Sequence, residues 1–169
     1  MYVGSRCIDR PDVKAEAAIR SHRGRFSRTN KPLAEGADNK NYCAQLAVCE
    51  LFTLSPDVIP SRVTKGWDFE INGHKIKVMG AQVGGNLAIK ERKRPSWADV
   101  YILCWIIDGE PHVIRWCEKE QVATAPVTTL TYTGSYTQPT HKVSYTALSR
   151  DLHALKVRLG LAYGQEGFW

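Results

Sequence analysis

The dipeptide Asn72-Gly73, inside WDFEINGHKIKVMGAQ from Trp67 to Gln82, constrains this chain more than any other feature. Both central residues of a type I′ turn need positive φ, which Asn and Gly adopt at little steric cost. Such a turn sets the pairing of its flanks: Ile71 with His74, Glu70 with Lys75, Phe69 with Ile76 and Asp68 with Lys77. Strand side chains alternate faces, so Phe69, Ile71, Ile76 and Val78 share an apolar side. Asp68, Glu70, Lys75, Lys77 and Met79 share the other, and an acid faces a lysine. On an ordinary solvated sheet face each such pair contributes ~0.2 to 1 kcal/mol.

Helical and strand signals surround this hairpin. Val13, Ala17, Ala18 and Ile19 have helical spacing from Pro11 to about His22, with Asp12 as cap. Residues 23 to 38 are rich in Gly, Pro, Ser and Asn and read as a loop. Asn39 or Asn41 then caps a helix whose Leu46, Ala47, Val48, Leu51 and Phe52 form a broad apolar surface, suited to packing on a sheet. Gly80, Gly84 and Gly85 are expected to break regular pairing after the hairpin. The nearly continuous apolar run Val100 to Ile107 predicts a central strand covered on both faces. Asp108-Gly109 turns it into a neighbour over His112 to Trp116. Residues 123 to 147 shift toward Thr, Tyr and Ser, interrupted by Pro126, Gly134 and Pro139, and read as short strands or extended loop. A closing helix from Thr146 to Leu159 carries the stripe Leu148, Leu152, Leu155 and Leu159, with Gly160 as its stop.

These elements predict an α/β fold with a central mixed sheet of four or more strands flanked by helices. A chain of 169 residues with 43% hydrophobic residues is long enough for one domain with its own core. That domain spans 1–169, with 1–38 a basic N-terminal helix and loop and 123–169 a Thr/Tyr-rich segment plus C-terminal helix. No run of about eighteen apolar residues spans a membrane, and MYVGSRCIDRPD lacks a secretory leader's apolar stretch, so a cytoplasmic protein is expected. The five cysteines, Cys7, Cys43, Cys49, Cys104 and Cys117, contain no CxxC spacing and read as reduced and structural. The histidines form no HxH or HExxH pattern.

The order of helix, Asp68, Lys77-Val78-Met79, Gln82 and then ADVYILCWI from Ala98 to Ile106 resembles the PD-(D/E)xK nuclease superfamily over roughly residues 40 to 120. That resemblance implies a restriction-endonuclease-like fold, a glutamate from the helix, an aspartate from one strand, and an acid and a lysine from the next. It places Asp68 at the aspartate, Lys77 at the second acid, Met79 at the lysine, and Gln45 or Asn41 at the helical glutamate. Only Asp68 and the trailing Gln82 fit the pattern. A nuclease of this type holds Mg²⁺ with hard carboxylate oxygens and uses it to activate water. Here Lys77 would repel that cation and pair with Asp68, leaving a weak metal site or none.

Charge favours an anionic partner: 23 Lys+Arg against 17 Asp+Glu give a net +6. Two basic runs stand out, RSHRGRFSR with Arg23, Arg25 and Arg28, and Lys90 with Arg92, Lys93 and Arg94. Such clusters neutralise phosphates without reading sequence. Three readings follow: a nuclease-fold DNA-binding protein with a lost or altered metal site, an active metal-dependent endonuclease or junction resolvase with relocated residues such as Glu70, Glu50, Lys75 or Lys90, or a protein-interaction module using tryptophans and the Phe168-Trp169 tail. The resemblance also implies a homodimer, and small size with an eroded motif suits a viral or mobile-element origin.

Overall fold

In the computed structural model, which describes residues 7–16, 37–59, 66–91, 94, 97–132 and 136–161, Asn72 and Gly73 both have positive φ, 48° and 81°. They join β1 (Phe69–Ile71) to β2 (His74–Gln82) in the register that the turn demands, with Phe69 opposite Ile76, Glu70 opposite Lys75 and Ile71 opposite His74. Strand β4 (Val100–Ile107) lies parallel to β2, with Val78 beside Ile102, and β5 (Glu110–Glu118) returns antiparallel to β4. The order β1-β2-β4-β5 makes a mixed four-stranded sheet. Three further strands, β3 (Leu87–Lys90), β6 (Val127–Tyr132) and β7 (Tyr136–Val143), form a second antiparallel sheet in the order β3-β7-β6. The helices are α1 at 11–16, α2 (Ala37–Leu51), α3 (Lys119–Thr124) and α4 (Leu152–Arg158). The fold is α/β, with the mixed sheet flanked by helices.

Side-chain alternation divides the mixed sheet between two cores. Phe69, Ile71, Ile76, Val78, Val100, Ile102 and Cys104 meet Ala44, Val48 and Cys49 of α2 with Phe52 just past its end, and Leu155 of α4 with its capping residue Leu159. From the other face Tyr101, Leu103 and Cys117 meet Leu87, Ile89 and Val143 of the second sheet, with Val122 of α3. Burial on both faces explains the unbroken apolar run of β4, since neither face of a central strand reaches water. It also covers half of the hairpin's polar face: Met79 packs into the second core, whereas Glu70 and Lys75 remain exposed.

Several boundaries differ from expectation for identifiable reasons. Gly80 does not end β2; it lies within it, because α2 crosses there and a Cβ would sit 2.8 Å from the Lys40 carbonyl oxygen. The break comes at Gly84, whose φ is +82°. Helix α2 starts at Ala37, and Asn41 lies inside it, accepting the Gly80 N–H at 3.3 Å. The expected closing helix is divided. Residues Tyr145–Ala147 form a 3₁₀ turn, Ser149 bridges Trp116 of β5 through backbone bonds of 3.0 and 2.9 Å, and Asp151 then caps α4 by accepting the Ala154 N–H. The leucine stripe divides with it, Leu148 joining the second core and Leu155 and Leu159 the first. Pro139 lies inside β7, yet β3 ends opposite Thr140, so only β6 flanks the chain at the proline. Residues 17–36, including Arg23, Arg25 and Arg28, lie outside the described residues, as do Arg92, Lys93 and the Phe168-Trp169 tail.

The Gly80 crossing gives a direct expectation. Gly80→Val forces a side chain against the Lys40 backbone and should lower stability by about 1 to 3 kcal/mol in urea unfolding. Gly73→Ala meets no atom within 4 Å and bears only the strain of its positive φ, so it should cost about 1 kcal/mol. Equal effects would show that α2 does not depend on that approach.

Candidate functional site

Asp68 precedes β1 by one residue, and its backbone N–H donates to the Ile76 carbonyl at 2.7 Å, extending the hairpin ladder by one position. This directs the side chain along β2. Oδ1 accepts from Lys77 Nζ at 3.0 Å and Oδ2 accepts from the Val78 backbone N–H at 2.7 Å. The carboxylate is largely enclosed, its side chain 12% exposed against 31% for Lys77. Both oxygens are engaged by donors of this chain, one of them a cation. A second acid, Asp99, just before β4, is used in a similar way: Lys75 N–H donates to its Oδ2 at 2.8 Å, and its own N–H donates to the Lys75 carbonyl at 2.8 Å. Two carboxylates thus fasten the backbone of β2, one toward β1 and one toward β4.

The remaining members of the sequence-derived set do not converge on this pair. Met79 follows Lys77 on the same face, half-buried among apolar side chains. Gln82 is exposed at the far end of β2, on the opposite face from Lys77 and roughly 16 Å along the strand. Gln45 is buried in α2, which packs on the Ile76–Val78 face, so the sheet itself separates that helix from Lys77. Glu50 and Glu70 are exposed. Among the described residues no group of three or more His, Cys, Asp or Glu could hold a metal ion. A Mg²⁺ ion prefers several hard oxygen ligands with room for water. One enclosed carboxylate with an ammonium at 3.0 Å does not fit that requirement.

Of the basic residues expected to meet phosphate, Lys90 and Arg94 are described. Arg94 Nε pairs with Glu91 Oε1 at 3.0 Å, and its guanidinium lies 5.1 Å from the centre of the Trp97 ring. Glu91 also bonds His141 Nε2, while the Trp97 ring meets His141 edge-on at 5.0 Å. The bond from His141, with Arg94 adding its positive charge, holds the Glu91 carboxyl below the ordinary glutamate range. His141 is buried, and its Nδ1 has no hydrogen-bond partner. Sequence reading missed this cluster, although Glu91 is the one acid within the Lys90 to Arg94 run. Lys90 occurs on the same side of the second sheet as the exposed Lys142, opposite the side of Leu87 and Ile89, which enter the core. On the hairpin, exposed Lys75 has its Nζ 5.7 Å from the Trp67 ring centre.

Two substitutions separate what Asp68 does. Asp68→Ala strands the Val78 N–H and should cost about 1 to 3 kcal/mol. Lys77→Met leaves that bond in place and removes an ion pair whose lysine side chain is 31% exposed, worth about 1 kcal/mol or less. Urea unfolding of both variants checks the order; a larger loss for Lys77→Met would contradict it. Comparison of the chain with models of protein families, with curated proteins and with solved structures finds no match.

Proposed function

We propose that this chain is a DNA-binding protein on a nuclease-like α/β scaffold whose metal site is disarmed, so that it engages DNA without cutting it. The observation that carries this reading is the pairing of Asp68 with Lys77 and with the Val78 N–H, at the place where the PD-(D/E)xK pattern puts metal ligands. A divalent ion there would have to displace an ammonium already within contact distance and break a backbone hydrogen bond, with no second carboxylate as replacement. Met79, at the lysine position, has no proton to give or hold. Cleavage through this site therefore lacks both the Lewis acid and the general acid–base group.

Binding rests on different residues from cleavage, which is why one can persist without the other. The net charge of +6 supplies long-range attraction to a polyanion. Exposed Lys75 and Lys142 offer ammonium groups to phosphates, and Lys90 lies on the face of Lys142. Arg94 is less available than its sequence context suggests, because Glu91 pairs with it and its guanidinium lies 5.1 Å from the centre of the Trp97 ring. Contacts of this kind release counterions on binding, so affinity falls linearly on a log–log plot against salt.

Gel retardation and cleavage assays on the same labelled linear, branched and single-stranded DNA test the proposal. The expected outcome is retardation that weakens steeply with salt, no products with Mg²⁺ or Mn²⁺, and a shallower salt dependence for the Lys90→Ala/Lys142→Ala variant. Metal-dependent products that vanish in Asp68→Ala would contradict the reading, as would binding insensitive to salt.

A further inference from the structure

Cys7 and Cys43 lie 36 residues apart in the chain, yet their Sγ atoms are 3.0 Å apart. Cys7 begins the 3₁₀ turn Cys7–Asp9 and Cys43 lies on α2; with Val13 of α1 they form a small apolar cluster of their own, bordered by Tyr42, Leu46 and Ile106. The turn is also held by β5, since the Cys7 N–H donates to Glu110 Oε1 at 2.7 Å. A disulfide requires a sulfur separation of ~2.05 Å, so the pair needs to close by about one ångström. The other three cysteines have no such neighbour: burial pushes Cys49 up to about 11 and Cys104 and Cys117 up to about 12, which keeps them as inert thiols.

We propose that Cys7 and Cys43 form a reversible disulfide, closed by a hydroperoxide, that fastens the N-terminal turn to α2. Cys7 is the attacking group. The hydrogen bond with Cys43 holds the Cys7 thiol below its ordinary range, Arg10 adds a favourable positive charge, and the same bond pushes Cys43 up so that it keeps its proton. The Cys7 thiolate attacks the hydroperoxide, the O–O bond breaks, and the leaving alkoxide or hydroxide takes up a proton, leaving a sulfenic acid on Cys7. Cys43 then attacks the Cys7 sulfur, the S–O bond breaks, and hydroxide leaves as water with the Cys43 proton. Two thiols lose two electrons to one peroxide, giving a disulfide, an alcohol or water, and a further water. A dithiol reductant reverses the step by thiol–disulfide exchange. Intracellular disulfides of this transient kind are typically redox-responsive. The bond would close residues 7 to 43 into a loop that contains most of the basic residues of the first forty.

The test is oxidation of the wild-type protein with hydrogen peroxide, followed by alkylation under denaturing conditions, intact mass and peptide mapping. The expected product has lost two hydrogens and two alkylatable thiols, yields one cross-linked peptide pair containing Cys7 and Cys43, and reverts with dithiothreitol. Its thermal midpoint should rise by about 5 to 10 °C, because the cross-link restricts the unfolded chain. In Cys43→Ser the Cys7 sulfenic acid has no resolving thiol and should be captured by dimedone. All five thiols remaining alkylatable, a different pair being linked, or oxygen added at Cys7 in the wild type without a cross-link would each overturn the proposal.

Discussion

The register of the β1–β2 hairpin is the constraint on which the rest of the structure depends. Two residues of positive φ at the turn leave only one pairing, and a slip by one position would exchange the faces of every side chain on both strands. With that register, Phe69, Ile76 and Val78 face α2, Met79 faces the second sheet, and β4 can add in parallel with an apolar residue on each side. The same register brings Asp68 against Lys77 and the Val78 N–H, so the carboxylate extends the ladder past the end of β1.

Local chemistry made much of this legible. An Asn-Gly turn declares itself over two residues, and a strand buried on both faces shows as an apolar run, so β1, β2, β4 and the middle of β5, His112 to Trp116, were readable from their own residues. Long-range pairing was not. The Thr- and Tyr-rich segment carries no face pattern that distinguishes a paired strand from an extended loop, and β7 is a strand because β3 and β6 lie on either side of it. The break in the closing helix arises from a backbone bridge between Ser149 and Trp116, residues 33 positions apart by number, which side-chain spacing cannot report.

The candidate site shows the same division. The Asp68–Lys77 contact followed from counting outward from the turn, whereas the placement of Gln45 and Gln82 away from Lys77 required knowing on which face α2 packs and where β2 ends. Glu91 is visible within the basic run from Lys90 to Arg94, but its bond to His141 from a distant strand and its pairing with Arg94 are not. Cys7 and Cys43 were legible only as two scattered thiols. Their approach depends on the N-terminal turn folding back onto α2.

For the site itself the decisive effect is charge at short range. A lysine ammonium 3.0 Å from an enclosed carboxylate pairs its charge, and replacing that ammonium with a divalent ion requires oxygen ligands that the described residues do not assemble there. Calorimetric titration of the wild-type protein and of Lys77→Glu with Mn²⁺ tests this most directly. The wild type should show no saturable uptake, and Lys77→Glu, which sets a second carboxylate facing Asp68, should gain binding. Tight Mn²⁺ binding by the wild type that disappears in Asp68→Ala would contradict it.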